Sequence, residues 1–139
     1  MTKLFIDTNV MIDILAQRHP FYSDAAKLVT LAEQQTVKLV ASSISFVNTF
    51  YVLAKTSEKA DLLKALTNFR ILCDVSNVDE INIDKSLHSG FSDFEDAVQY
   101  YSAINYSCDI FITRNKKDFK KSEISLMTPS EFLISIKRK

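Results

Sequence analysis

The sequence predicts an α/β protein: a three-layer α/β/α sandwich around a central, mostly parallel sheet of four to five strands. Two observations predict it. Short, continuous apolar runs such as Leu4-Phe5-Ile6 and Ile110-Phe111-Ile112 read as strands buried on both faces. Segments with apolar residues at helical spacing alternate with them. Right-handed crossovers then place helices on both sides of a parallel sheet. A chain of 139 residues with one Gly and two Pro has no flexible linker, so a single domain over residues 1–139 is expected.

The elements follow in order. Lys3 to Asp7 reads as a buried strand and Asn9 to Leu15 as a short helix. Pro20 breaks the chain, and Tyr22, Ala25, Ala26, Val29 and Ala32 recur at helical spacing after it. Val37 to Ala41 is a second strand. Ser42 to Ser45 offers cap residues for a helix from about Phe46 to Lys55. A helix starting at Ser57 carries Leu62, Leu63, Leu66 and Phe69 on one side, and Leu72 to Val75 is a third strand. Asp79 begins a polar helix ending near Gly90, a good stop. Ser92 is expected to cap a helix with Phe94, Ala97, Val98, Tyr101 and Ile104 as its stripe. Asp109 to Thr113 is a fourth strand and Ile124 to Met127 a fifth. Thr128-Pro129 opens the last helix, whose basic end Lys137-Arg138-Lys139 suits the helix dipole.

Composition narrows the function. A formal net charge of zero argues against a protein that coats nucleic acid through a broad basic face, while leaving room for a local basic patch. Cys73 and Cys108 lie far apart in apolar segments, without metal-knuckle or redox spacing, and are expected as reduced core thiols. With neither a basic leader nor an apolar run near membrane-spanning length, a cytoplasmic protein without membrane contact is expected.

The chemistry concentrates in three clusters. Asp7 ends the first strand, Asp93 and Asp96 stand at a helix start, and Thr113 to Asp118 follow the fourth strand. Parallel strands all end on one side, so Asp7 and the Thr113–Asn115 turn can meet across one crevice. Asp93 and Asp96 are three apart and share a helix face. Alone, that pair also reads as ordinary helix-start charge, and Asp13 and Asp118 as an exposed helix acid and a loop acid. If Asp7, Asp93 and Asp96 converge, each pair repels by roughly 3 kcal/mol at an effective dielectric near 20. A bound cation relieves that repulsion. Oxygen ligands without Cys or His point to Mg²⁺ or Mn²⁺, ions that suit phosphodiester hydrolysis. Arg114, Lys116, Lys117, Lys120 and Lys121 crowd the same loop, where they would steady a phosphate backbone.

Asp7-Thr8-Asn9 after a strand, Asp96-Ala97 opening a helix, and Thr113-Arg114-Asn115-Lys116-Lys117-Asp118-Phe119 after another strand resemble the PIN domain family. That family includes the ribonuclease toxins of VapBC-type toxin–antitoxin pairs. The resemblance spans nearly the whole chain. It implies RNA hydrolysis with Mg²⁺ or Mn²⁺ held by Asp7, Asp96 and Asp93. Asn48 and Asn115 stand where the family usually has a Glu and an Asp. They are expected to complete the site or orient water, since an amide oxygen ligates without adding charge. Thr113, Arg114, Lys116 and Lys117 are the expected substrate contacts. The resemblance also implies a homodimer and a small antitoxin partner, for which exposed parts of the aromatic helix carrying Phe46, Phe50, Tyr51 and Leu53 would serve. Two rival readings are a degenerate PIN domain that binds RNA or protein without cleaving, and a receiver-like domain with an Asp phosphoacceptor. The second lacks an acidic pair beside a central-strand acceptor.

Overall fold

The structure, a computed structural model, describes residues 1–119 and 122–137. Lys120, Lys121, Arg138 and Lys139 lie outside the described residues. Five strands form one parallel sheet in the order β3-β2-β1-β4-β5, with β1 Thr2–Ile6, β2 Val37–Ser42, β3 Cys73–Ser76, β4 Ile110–Ile112 and β5 Ser125–Met127. The helices are α1 Thr8–Leu15, α2 Tyr22–Glu33, α3 Ser43–Leu53, α4 Lys59–Leu72, α5 Glu80–Leu87, α6 Phe94–Asn105 and α7 Pro129–Lys137. Among the described residues no helix is long and apolar enough to cross a membrane.

Strand alternation builds the two cores. Leu4, Ile6, Leu39, Ala41 and Ile112 face α1, α2, α4 and α7 through Val10, Met11, Leu28, Phe69 and Phe132. Phe5, Val40 and Phe111 face the other way and pack on Tyr100 and Ala103 of α6 and on Phe119. Every one of these side chains is at most 5% exposed, which is why the central strands read as unbroken apolar runs. Cys73 and Cys108 are free and buried, and burial pushes both thiols up to about 12, so they are inert core residues.

Side chains at the helix starts fix the boundaries. The Ser42 hydroxyl accepts from the Ser45 N–H at 3.1 Å, so α3 begins at Ser43, before the expected Phe46. Asp79 caps α5 and Thr128 with Glu131 forms a reciprocal capping box on α7. Three expectations are corrected. The cap of α6 is Asp93, not Ser92, through a 2.9 Å bond from the Asp96 N–H. Helix α5 ends at Leu87, and Gly90 sits beyond it with φ of 79°, in the left-handed region. Leu63 is 47% exposed and points away from the Leu62–Phe69 stripe.

Candidate active site

The connections from β1 run to β2 on one side and, later in the chain, β4 joins β1 on the other. The gap beyond the carboxyl ends of β1 and β4 is therefore the topological switch point, where open α/β sheets bind ligands. Asp7 and Thr113 are the first residues past those two strand ends. Their meeting, expected from the sequence, is direct: the Thr113 hydroxyl donates to Asp7 Oδ2 at 2.9 Å. The Thr8 N–H donates to Asp7 Oδ1 at 2.8 Å. The Asn115 N–H in turn donates to Thr113 Oγ1 at 3.1 Å, tightening the turn after β4.

Asp7 is 5% exposed. Burial pushes its carboxyl up to about 6, against the two hydrogen bonds that favour the anion; Glu95 adds a smaller push. Asp96, half-buried on the first turn of α6, is pushed up to about 7, first by burial and then by Asp93, Asp7, Asp118 and Glu95. Acids from three chain segments thus share one field. The condition of a tight Asp7–Asp93–Asp96 cluster is not met among the described residues. Among the described residues, no three His, Cys, Asp or Glu side chains stand close enough to hold an ion by themselves. Asp93 spends one carboxylate oxygen on the α6 cap, so it adds charge to Asp96 from the helix end.

The donor set nevertheless fits a hard divalent cation. Mg²⁺ is commonly held by one or two carboxylates, with water and phosphate oxygens completing its shell. Asp7 and Asp96 supply two such carboxylates whose charged forms burial and repulsion disfavour. Among the described residues the ion pairs engage Asp13, Asp24, Asp74 and Glu131, and neither Asp7 nor Asp96. Asn48 and Asn115 are half-buried, on α3 and in the loop after β4.

The basic residues divide. Arg114 is not free for phosphate: Nε donates to Asp13 Oδ2 at 2.8 Å and the guanidinium lies 3.9 Å from the centre of the Phe21 ring. Lys116 pairs with Glu131 at 2.8 Å. Lys117 is exposed. Asp13, expected as an exposed helix acid, is 1% exposed and bound by both Arg114 and Arg18. The signal was its place inside the apolar run Val10-Met11-Ile12-Asp13-Ile14-Leu15. A second missed feature is Gln99, fully buried and bonded to Thr8, Ser42 and Ser45. Its signal was an amide one turn past Asp96, inside the segment Ala97-Val98-Gln99-Tyr100.

The sequence matches the family profile of the PIN domain over residues 3–117. The chain belongs to the PIN domain family. Solved structures share the fold at low identity. VapBC2 from Rickettsia felis, bound to a DNA fragment from the promoter, is 17% identical with a TM-score of 0.67, over 91% of this chain and 98% of that one. A toxin–antitoxin complex from Klebsiella pneumoniae is 22% identical with a TM-score of 0.68, over 91% and 97%. VapC20 from Mycobacterium tuberculosis, a toxin that cleaves the sarcin–ricin loop, is 12% identical with a TM-score of 0.61, over 78% and 86%. No curated protein matches the chain in sequence. At this similarity the structures establish the shared architecture, and this PIN domain's own residues must carry any argument about chemistry.

Proposed function

We propose that this PIN domain hydrolyses RNA phosphodiesters with Mg²⁺ or Mn²⁺, as the toxin of a toxin–antitoxin pair. One observation carries the reading. Asp7, just past the end of β1 at the switch point, and Asp96, on α6, come from different elements; burial disfavours both as anions, and the charge of Asp7 adds to the cost at Asp96. Asp7 and Asp96 would hold the ion, with Asp93 adding charge beside Asp96. The bound ion would supply Lewis acidity at the phosphate and acidify a water.

The chain's own groups have distinct tasks. The Thr113 hydroxyl and the Thr8 N–H fix both oxygens of Asp7 while leaving lone pairs on each. The amides of Asn48 and Asn115 orient water or substrate without adding charge. Lys117 offers its ammonium group to the backbone of the RNA, whereas Lys116 and Arg114, paired with Glu131 and Asp13, act through the loop they hold. Val47, Tyr51 and Val52 leave an exposed apolar strip on α3, 53%, 69% and 43% exposed, which suits a protein partner such as a second copy or a small antitoxin.

The test is an RNA cleavage assay with and without Mn²⁺, run beside Asp7→Asn and Asp96→Asn, with Mn²⁺ binding followed by calorimetry. Metal-dependent cleavage lost in both variants is the expected result. Cleavage that survives both sinks the site. The second reading, a PIN domain that binds without cleaving, is favoured by Asn48 and Asn115 and by the lack of a three-acid cluster among the described residues. Wild-type protein that neither binds Mn²⁺ nor cuts RNA decides for it.

A further inference from the structure

We propose that Gln99 is the positioning residue of this site: its buried amide ties α1, α3 and α6 together and thereby sets the spacing of Asp7, Asn48 and Asp96. The inference rests on the metal-nuclease reading for its functional meaning, though not for its geometry. Gln99 is 0% exposed. Both of its N–H bonds are used, one donating to Thr8 Oγ1 at 2.6 Å and the other to Ser45 Oγ at 2.7 Å. Its Oε1 accepts from Ser42 Oγ at 2.6 Å. The Thr8 and Ser45 hydroxyls are themselves 2.8 Å apart, and Ser42 Oγ takes the Ser45 N–H. Ser42 and Ser45 are also 0% exposed.

Three members of this knot lie beside a site residue. Thr8 follows Asp7 and gives it a backbone N–H. Ser45 lies three residues before Asn48, on the same face of α3. Gln99 lies three residues after Asp96, on the same face of α6. A chain free to pack apolar groups here could replace the whole cluster by side chains of similar volume at little loss of stability. A saturated hydrogen-bond network instead fixes one geometry, because its donors and acceptors have directions that methyl groups lack. A misplacement of about 1 Å at reacting groups can cost about 100-fold in rate, so such a brace matters beneath a carboxylate pair.

Gln99→Met, which keeps chain length and removes the polar atoms, tests this. Metal-free crystal structures of wild type and variant, superposed on the sheet, are expected to differ by about 1 Å in the separation of the Asp7 and Asp96 carboxylates. Calorimetric Mn²⁺ affinity without RNA is expected to fall about tenfold, and kcat to fall with KM little changed. Thr8→Val removes two bonds of the knot, those to Gln99 and Ser45, and is expected to act in the same direction, which keeps the test open if Gln99→Met does not fold. Ser102→Ala is the control, another buried hydroxyl on α6, bonded to Ser76. It should lower thermal stability while leaving the spacing and the affinity at wild-type values. An unchanged Asp7–Asp96 spacing in Gln99→Met overturns the proposal, as does lost stability with wild-type affinity. Should wild type bind no Mn²⁺ and cut no RNA, the nuclease reading falls, yet the spacing comparison still decides the role of Gln99.

Discussion

Two carboxylates six residues apart, Asp7 and Asp13, are buried almost equally, at 5% and 1% exposure, and are treated in opposite ways. Asp13 receives two guanidinium groups, from Arg18 at 3.0 Å and Arg114 at 2.8 Å. Asp7 receives two neutral donors and faces further acids, so its carboxyl rises to about 6. Helix α1 thus carries one acid paired within the chain, while the acid that caps it has no ion pair among the described residues. Burial alone does not set a carboxylate's state; what faces it decides whether its anion is favoured.

Removing the acids should break the comparison most visibly in activity. Asp7→Asn and Asp96→Asn are each expected to lower RNA cleavage by about 1000-fold, the scale on which lost transition-state electrostatics act. A kcat measurement in Mn²⁺ checks this. The same Asp7→Asn should raise the thermal stability of the metal-free protein near pH 8, since it removes a buried charge that the fold disfavours. Lower stability would show that the Thr8 and Thr113 bonds outweigh that penalty.

Asp13→Asn should do the reverse. It strands two arginines, one of them only 24% exposed, and breaking a buried pair from one side costs about 3–5 kcal/mol. Denaturant melts measure it. Loss of the pair also frees the loop that carries Thr113 and Asn115, so cleavage should weaken at temperatures where the variant is still folded. If stability is untouched, Asp13 and Asp7 differ less than their partners suggest.

The contrast has a pH signature. Asp7 rises from 3.8 to about 6, so the folded protein holds its proton more tightly than the unfolded chain. Metal-free stability therefore falls as pH climbs from about 4 towards 7, by up to about 3 kcal/mol from Asp7. Asp96, rising to about 7, adds in the same direction. Mn²⁺ needs the ionised forms, so its affinity should climb over the same window and its presence should flatten the stability curve. Thermal melts from pH 4.5 to 8, with and without Mn²⁺, read both trends. Stability that rises with pH in the metal-free protein would contradict the raised carboxyl of Asp7.

The sequence carried the sheet well, because strands buried on both faces leave apolar runs that need no partner to be recognised, as at Leu4-Phe5-Ile6. It placed Asp7 beside Thr113 because parallel strands end on one edge. It failed where meaning depends on a partner far along the chain. Asp13 and Arg114 are 101 residues apart, and neither looks paired in its own segment. Gln99 reaches Thr8 across 91 residues and Ser45 across 54. Ser92 and Asp93 were both competent caps, and only backbone geometry chose between them.

The smallest expected effect adds charge to the poor side of the comparison. Asn48 lies half-buried on α3, one turn past Ser45, whose hydroxyl touches Thr8 beside Asp7. Asn48→Glu would bring a third carboxylate towards Asp7 and Asp96. With an ion bound, that charge is favourable, and Mn²⁺ affinity should rise about tenfold, or about 1.4 kcal/mol. Without an ion it adds repulsion, and metal-free stability should drop by a similar amount. The two changes have one cause and opposite signs, so calorimetry and melts must move together. Destabilisation with no gain in affinity would place residue 48 outside the ion's reach and leave Asp7 and Asp96 to bind it without help from α3.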